Sequence, residues 1–303
     1  MNFVSVIIPT FKRSDLLKNT IDSVLNQTYP YFEIIVVDDN EASSSYRKKT
    51  ELLMSQYSLS TKIKYLKNEK NCGGSASRNN GVLASTGDFI CFLDDDDTFH
   101  ATKLEKQMSI MLSKDKTWGA VYCNYNFVSK NKIIRKTEHQ EEGNLLFDML
   151  SMKNTIASGS TMLIRKKVFL ELNGYDTNFS RHQDWEFLVR FFRYYKLAIC
   201  KDNLVDINLD SNINRVDPLV LKKAKELFFE TFENDINKFT EKQIKEIESA
   251  HKQQLARLYL GNSENTEFFK VLLSTKAIPV KDLIRLTLLF LAVNIFGYKR
   301  KGY

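Results

Sequence analysis

Between residues 4 and 127, short apolar runs rich in β-branched residues alternate with segments of helical apolar spacing, and this alternation constrains the fold more than any other feature. Residues 4–8, 33–37, 63–66, 89–93 and 120–127 read as strands; 16–26, 45–57, 75–84 and 102–112 read as helices. In the first helix Leu17, Ile21, Val24 and Leu25 share one face, with Ser14 or Asp15 available as a cap. Such alternation predicts an α/β fold, a mostly parallel sheet with helices on both faces. Right-handed crossovers then gather the carboxyl ends of the strands along one edge, where ligands bind in such sheets. Thr10 and segments 38–40 and 94–97 converge there.

At that edge stand four consecutive aspartates, Asp94, Asp95, Asp96 and Asp97, directly after the apolar run 89–93. Carboxylates this close repel, which raises their pKa values and destabilises the fold unless something shares the charge. A hard divalent cation such as Mg2+ or Mn2+ does so, taking oxygen ligands and bridging carboxylates to a substrate's phosphates. A solvated acidic loop is the alternative, and the buried-looking strand in front of the run weighs against it. Alternate residues of an extended segment point to one side, so Asp94 and Asp96 can face a common site.

Beyond residue 130 the pattern is mixed. A turn is expected near 130–132, a strand over 160–164, a helix over 166–172 ended by Asn173-Gly174, and a further helix over 184–194. After Pro218 the chain reads as helix almost throughout. The expected organisation is a catalytic domain over 1–215 and a helical region over 216–303.

Cys72, Cys91, Cys123 and Cys200 show neither metal-like nor disulfide-framework spacing, which fits a reducing cytoplasm. The opening run 4–8 is too short for a signal segment and meets Pro9, so export is not expected. The net charge of +7 is lopsided: from Lys270 onward there are seven basic residues against one acid, Asp282. The remainder is near neutral, so a nucleic-acid-binding surface is not expected. Segment 283–296 is the most apolar of the chain, yet shorter than the roughly 20 residues that span a bilayer. With its basic flanks it suits an interfacial helix on an anionic cytoplasmic leaflet; packing into its own protein or into a partner is the alternative. A cytoplasmic protein, peripheral on the inner face of the membrane, is expected.

Four separated motifs carry the chemistry. They are Val4-Ser5-Val6-Ile7-Ile8-Pro9-Thr10-Phe11-Lys12-Arg13, Ile34-Ile35-Val36-Val37-Asp38-Asp39-Asn40, Asn71-Cys72-Gly73-Gly74-Ser75-Ala76-Ser77-Arg78-Asn79-Asn80-Gly81, and Gly87-Asp88 leading into the aspartate run. The glycines are not a dinucleotide fingerprint, since no G-x-G-x-x-G opens a helix after the first strand. In order and spacing the four motifs resemble the inverting family 2 glycosyltransferases of the GT-A fold, over roughly residues 3–215.

The resemblance implies a Rossmann-like GT-A sheet, a nucleotide-sugar donor (most simply UDP-linked) and a metal, Mn2+ or Mg2+. Asp39 matches the aspartate that contacts the base, with Thr10 lining the same pocket; Asp38 and Asp39 also suit helix caps. Arg78 can bring a guanidinium toward a diphosphate, and a solvated arginine on a helix face is the alternative. Asp94 and Asp96 form the D-x-D, with Asp96 as metal ligand, Asp94 as a donor contact and Asp97 behind them. Asp95 stands where the family often has a small residue and is grouped with the donor-binding residues. Asp184 matches the base that deprotonates the acceptor, although Gln183 replaces the acid that commonly precedes it. Glu186 is the second candidate, Asp184 also suits a helix cap, and His182 is a weaker candidate ligand.

No Gln-x-x-Arg-Trp motif of the processive polymerases is present, so a single addition is expected. The resemblance implies a hexosyltransferase-type enzyme acting on an oligosaccharide or lipid-linked acceptor in surface polysaccharide synthesis. A nucleotidyltransferase, or a catalytically silent nucleotide- or carbohydrate-binding module at the membrane, are the competing readings.

Overall fold

The computed structural model of the chain describes residues 2–153, 159–179, 181–210, 217–273 and 280–296. In chain order the elements are β1 (Val4–Thr10), α1 (Ser14–Leu25), β2 (Phe32–Asp38), α2 (Ser45–Ser55), β3 (Ile63–Lys67), α3 (Gly74–Leu83), β4 (Phe89–Phe92), β5 (Thr98–Phe99), α4 (Lys103–Ser113), β6 (Trp118–Ser129) and β7 (Lys132–Lys136). There follow α5 (Leu146–Leu150), β8 (Leu163–Arg165), α6 (Lys166–Glu171), α7 (Gln183–Phe192), β9 (Lys196–Asn208), α8 (Pro218–Thr231), α9 (Glu233–Ile236), α10 (Glu241–Gly261), α11 (Asn265–Leu273) and α12 (Val280–Phe296). They form two compact units: one holds the whole sheet with α1 to α4, α6 and α7, and the other holds α5 and α8 to α12.

The sheet runs β3-β2-β1-β4-β8-β6-β9-β5, with β7 paired to β6. The strands β3, β2, β1 and β4 are parallel; β8 is antiparallel to both β4 and β6, and β6 is parallel to β9. The carboxyl ends of β1, β2, β4, β6 and β9 therefore share one edge. Buried on both faces, β2 is shielded along its entire length, which is why it reads as a continuous apolar run rather than an alternating one. Register places Thr10 opposite Asp38, and the Leu93 amide donates to the Ile7 carbonyl at 3.0 Å, so the three motif ends meet. Helix α3 lies hard against β1: a Cβ on Gly81 would come within 2.4 Å of Ile7 Cγ2, so only glycine permits this approach.

Several elements depart from the sequence expectation. Helix α1 has Arg13 at its N-cap and no side-chain cap, because a guanidinium has no acceptor to offer the first-turn amides; it donates to Asp95 and Asp96 instead. Segment 160–164 is not one strand: a 3-10 turn over Gly159–Thr161 precedes β8. The turn serves Ser160, whose hydroxyl accepts from the Asp94 amide and donates to Asp97. Strands β7 and β9 lack a clean period-2 pattern, so periodicity does not predict them.

In the second unit, Leu221, Leu255, Ala256, Tyr259, Leu260, Phe268 and Leu286 form a core among α8, α10, α11 and α12. A capping box of Thr240 and Gln243 starts α10. Leu283, Ile284, Leu288 and Leu291 of α12 are exposed. Among the described residues no helix is long and apolar enough to cross a membrane. Lys276, Lys299, Arg300 and Lys301 of the basic tail lie outside the described residues.

Candidate functional site

The four aspartates do not all point the same way. Asp94, Asp96 and Asp97 each bring one carboxylate oxygen to within 4.8 Å of the others. Asp95 turns toward β1, accepting from the Thr10 hydroxyl at 2.7 Å, the Phe11 amide at 3.3 Å and Arg13 Nη1 at 3.3 Å. The bend that separates them is local, for the Asp97 amide donates back to the Asp94 carbonyl at 3.0 Å. Asp97 is buried and accepts from Ser160 Oγ at 2.7 Å and the Asn208 amide at 3.2 Å.

These surroundings set the electrostatics. Burial pushes Asp95 up to about 7, opposed by the Thr10 hydroxyl and Arg13 and reinforced by Asp96 and Asp94. Burial also holds Asp97 well above the usual carboxylate range, and the charges on Asp94 and Asp96 add to it. Arg13 partly offsets the crowding through Asp96 Oδ2, 2.6 Å from its Nη1. Three hard oxygen donors held this close, two of them partly exposed, are a chemically suitable set for a divalent cation.

Arg78 lies in the first turns of α3, and its Nη2 is 2.5 Å from Asp94 Oδ1. The carboxyl of Asp184 at the start of α7 belongs to the same charge cluster. Burial raises its pKa; the Trp185 amide at 3.1 Å and Arg78 lower it, and Asp94 raises it. Sequence reasoning missed Tyr175, a buried phenol within electrostatic reach of Arg78, Asp184 and Asp94. It also missed Arg13, Ser160 and Asn208. A clamp joins α3 to the turn before α7: Asn79 Nδ2 donates to the Tyr175 carbonyl at 2.8 Å, and the Tyr175 amide donates to Asn79 Oδ1 at 3.0 Å.

Glu186 is bound on both oxygens by Arg190, at 2.5 Å each, and Arg190 also holds the carbonyls of Leu172 and Gly174. It thus braces the turn rather than facing an acceptor. His182, with φ 61°, stacks on Trp185 at 4.7 Å.

Neither Asp38 nor Asp39 caps α2, whose N-cap is Ser44. Asp38 is fully buried and pairs with Arg47 Nε at 3.2 Å, while Tyr65 Oη donates to it at 2.5 Å. Asp39 fastens the loop before α3. Its carboxylate accepts from Asn68 Nδ2 at 2.8 Å and from the amides of Cys72 at 2.8 Å and Gly73 at 2.9 Å. The loop that leads to Arg78 is thereby tied to the end of β2.

A family model described as Glycosyl transferase family 2 matches residues 5–172. The amylovoran biosynthesis glycosyltransferase AmsB of Erwinia amylovora is 28% identical over 195 residues, 61% of this chain and 62% of that protein's length. The chain therefore spans somewhat less than two thirds of that relative. The UDP-Glc:alpha-D-GlcNAc-diphosphoundecaprenol beta-1,3-glucosyltransferase WfgD of Escherichia coli is 31% identical over 200 residues, 66% of this chain and 70% of its own. Among solved structures, S. aureus TarS 1-349 in complex with UDP superposes with a TM-score of 0.57 over 98% of this chain and 93% of that one. At 14% identity that likeness speaks for the GT-A fold alone.

Proposed function

The chain belongs to glycosyl transferase family 2 and is a glycosyltransferase, and from that premise we propose that it moves one sugar, with inversion, from a UDP-sugar to a hydroxyl of a lipid-linked oligosaccharide. The observation that carries this reading is the grouping of Asp94, Asp96 and Asp97 within 4.8 Å, with Arg78 paired to Asp94 and the half-buried Asp184 within electrostatic reach of both. Relatives are named for amylovoran biosynthesis and for transfer to a diphosphoundecaprenol-linked sugar, which supports a surface-polysaccharide role.

In this reading Asp96, with Asp94 and Asp97, would hold Mn2+ or Mg2+, which supplies Lewis-acid stabilisation to the departing nucleoside diphosphate. Arg78 faces the same diphosphate as a fixed donor of hydrogen bonds. Thr10, Asp39 and Asp95 order the walls of the donor pocket: Asp95 joins β1 to the aspartate turn, and Asp39 joins β2 to the loop before α3. Asp184 takes the proton of the acceptor hydroxyl as its oxygen attacks the anomeric carbon and the carbon–oxygen bond to the diphosphate breaks on the opposite face. A burial-raised pKa makes Asp184 a better proton acceptor than a solvated aspartate. The exposed apolar residues of α12 would lie on the inner face of the membrane.

The test is a screen of nucleotide sugars with Mn2+ or Mg2+ for release of nucleoside diphosphate. It is repeated with Asp96→Ala and Asp184→Asn. Asp184→Asn should lower turnover about a thousandfold while donor binding persists. Clean nucleotide binding with no turnover for any donor would sink the enzymatic reading and leave a silent binding module.

A further inference from the structure

The hairpin of β6 and β7 is built to be rigid and then left bare. Lys130 and Asn131 have φ of 49° and 59°, as a two-residue turn between twisted strands requires. Asp210 pins the turn, accepting from Ser129 Oγ at 2.6 Å and from the Lys130 amide at 2.5 Å. Beyond the turn every residue of β7 is exposed, including Ile133 at 51% and Ile134 at 62%. Lys130, Lys132, Arg135 and Lys136 surround them, and residues 130–136 contain no acid.

Lysines on an edge strand discourage pairing with another chain, so the cations alone need no ligand. Two neighbouring isoleucines do. The β6–β7 register slips here: Val128 pairs with Ile133 and Phe127 with Arg135, which leaves Ile134 as the extra residue of a bulge, a device that disrupts the ladder and discourages a further strand from pairing at this edge. Two exposed isoleucines among four cations and no acid fit a surface that is anionic at its face and apolar beneath, as a headgroup layer of anionic lipid is, and its phosphates complement the cations.

The hairpin also stands beside the reaction centre. Val128 pairs with Asn208, whose amide donates to Asp97 Oδ1 at 3.2 Å. The strands that carry the hairpin thus end on the sheet edge that holds the aspartates.

We infer that the β6–β7 hairpin docks the catalytic unit on an anionic bilayer, with Ile133 and Ile134 entering the headgroup layer and Lys132 and Lys136 meeting lipid phosphates. The inference rests on the reading of a lipid-linked acceptor, because docking here would present the aspartate edge to a membrane-held substrate.

The experiment measures partition of the full chain onto vesicles of phosphatidylcholine with and without phosphatidylglycerol, at limiting lipid. The variants are Lys132→Gln/Lys136→Gln and Ile133→Ser/Ile134→Ser. The lysine pair should lower binding to anionic vesicles about 30-fold, from roughly fivefold per cation. The isoleucine pair should lower it about tenfold. Release of nucleoside diphosphate with a short water-soluble acceptor should be unchanged in both, which separates docking from chemistry. Parent-like partition in both variants overturns the inference and leaves the glycosyl-transfer reading intact. Loss of self-association in sedimentation velocity, with vesicle binding retained, also overturns it and assigns the hairpin to a second copy. Absence of turnover with every donor would instead defeat the transfer reading, while the vesicle series would still read the hairpin.

Discussion

Lys225 offers a quantitative test of how the helical unit is held together. Its side chain is buried in α8, and its Nζ lies 2.9 Å from Nδ1 of His251 in α10. The other ring nitrogen of His251 is 2.9 Å from the Leu150 carbonyl of α5, so Nε2 carries the proton and Nδ1 accepts from the lysine. Burial pushes the Lys225 ammonium from 10.5 down to about 7. The unfolded chain therefore keeps this proton where the folded chain has released it. Between the two values the unfolded state binds more protons, so stability rises with pH, and the cost of burying the charge is fullest below the folded value. From about pH 6 to about pH 9 this one group should add roughly 3 kcal/mol to the stability of the helical unit. Lys225→Met keeps the length and removes the charge, so that rise should vanish and the variant should gain on the parent at the acid end. Urea unfolding of the full chain across this range measures the slope. Hydrogen exchange in α8 and α10 assigns it to the helical unit, because two units need not unfold together. An equal pH slope in parent and variant would refute the reasoning.

Two further substitutions probe the unit that holds the sheet. Arg13→Gln removes the cation 2.6 Å from Asp96 and should tighten Mn2+ binding in the absence of donor by about tenfold, read by calorimetry; unchanged or weaker binding would show that Arg13 does not compete for that oxygen. Gly174→Ala forces a side chain onto a residue with φ 66° and places its Cβ 2.7 Å from Asn79 Oδ1, so it should cost about 3 kcal/mol in chemical unfolding through strain and loss of the Asn79–Tyr175 clamp, whereas an unaltered midpoint would mean the turn relaxes freely.

What was legible in the chain were the features that repeat locally. Fully buried strands such as β2 appear as unbroken apolar runs, and α1 shows its buried stripe of Leu17, Ile21 and Val24. Strand β9 was not legible, because Lys201, Asp202 and Asn203 interrupt its apolar run. Lys103 was not legible either: it is fully buried in α4, where Nζ donates to Gln107 Oε1 at 2.7 Å and lies over the Phe99 ring at 4.1 Å, partners that no periodicity reveals.

By itself the sequence determined that strand ends would meet at one edge and that the aspartate run would stand there, since alternation and crossover handedness follow from local patterns. Only the tertiary structure decided which way each carboxylate turns. Asp95 faces Thr10 and Arg13, while Asp97 faces Ser160 and Asn208, which lie 63 and 111 residues further along the chain. The same holds for Asp39, whose partners belong to the loop before α3. The physical reason is that a carboxylate takes its direction from the nearest donors in space. Those donors come from strands and turns that become neighbours only once the sheet has formed.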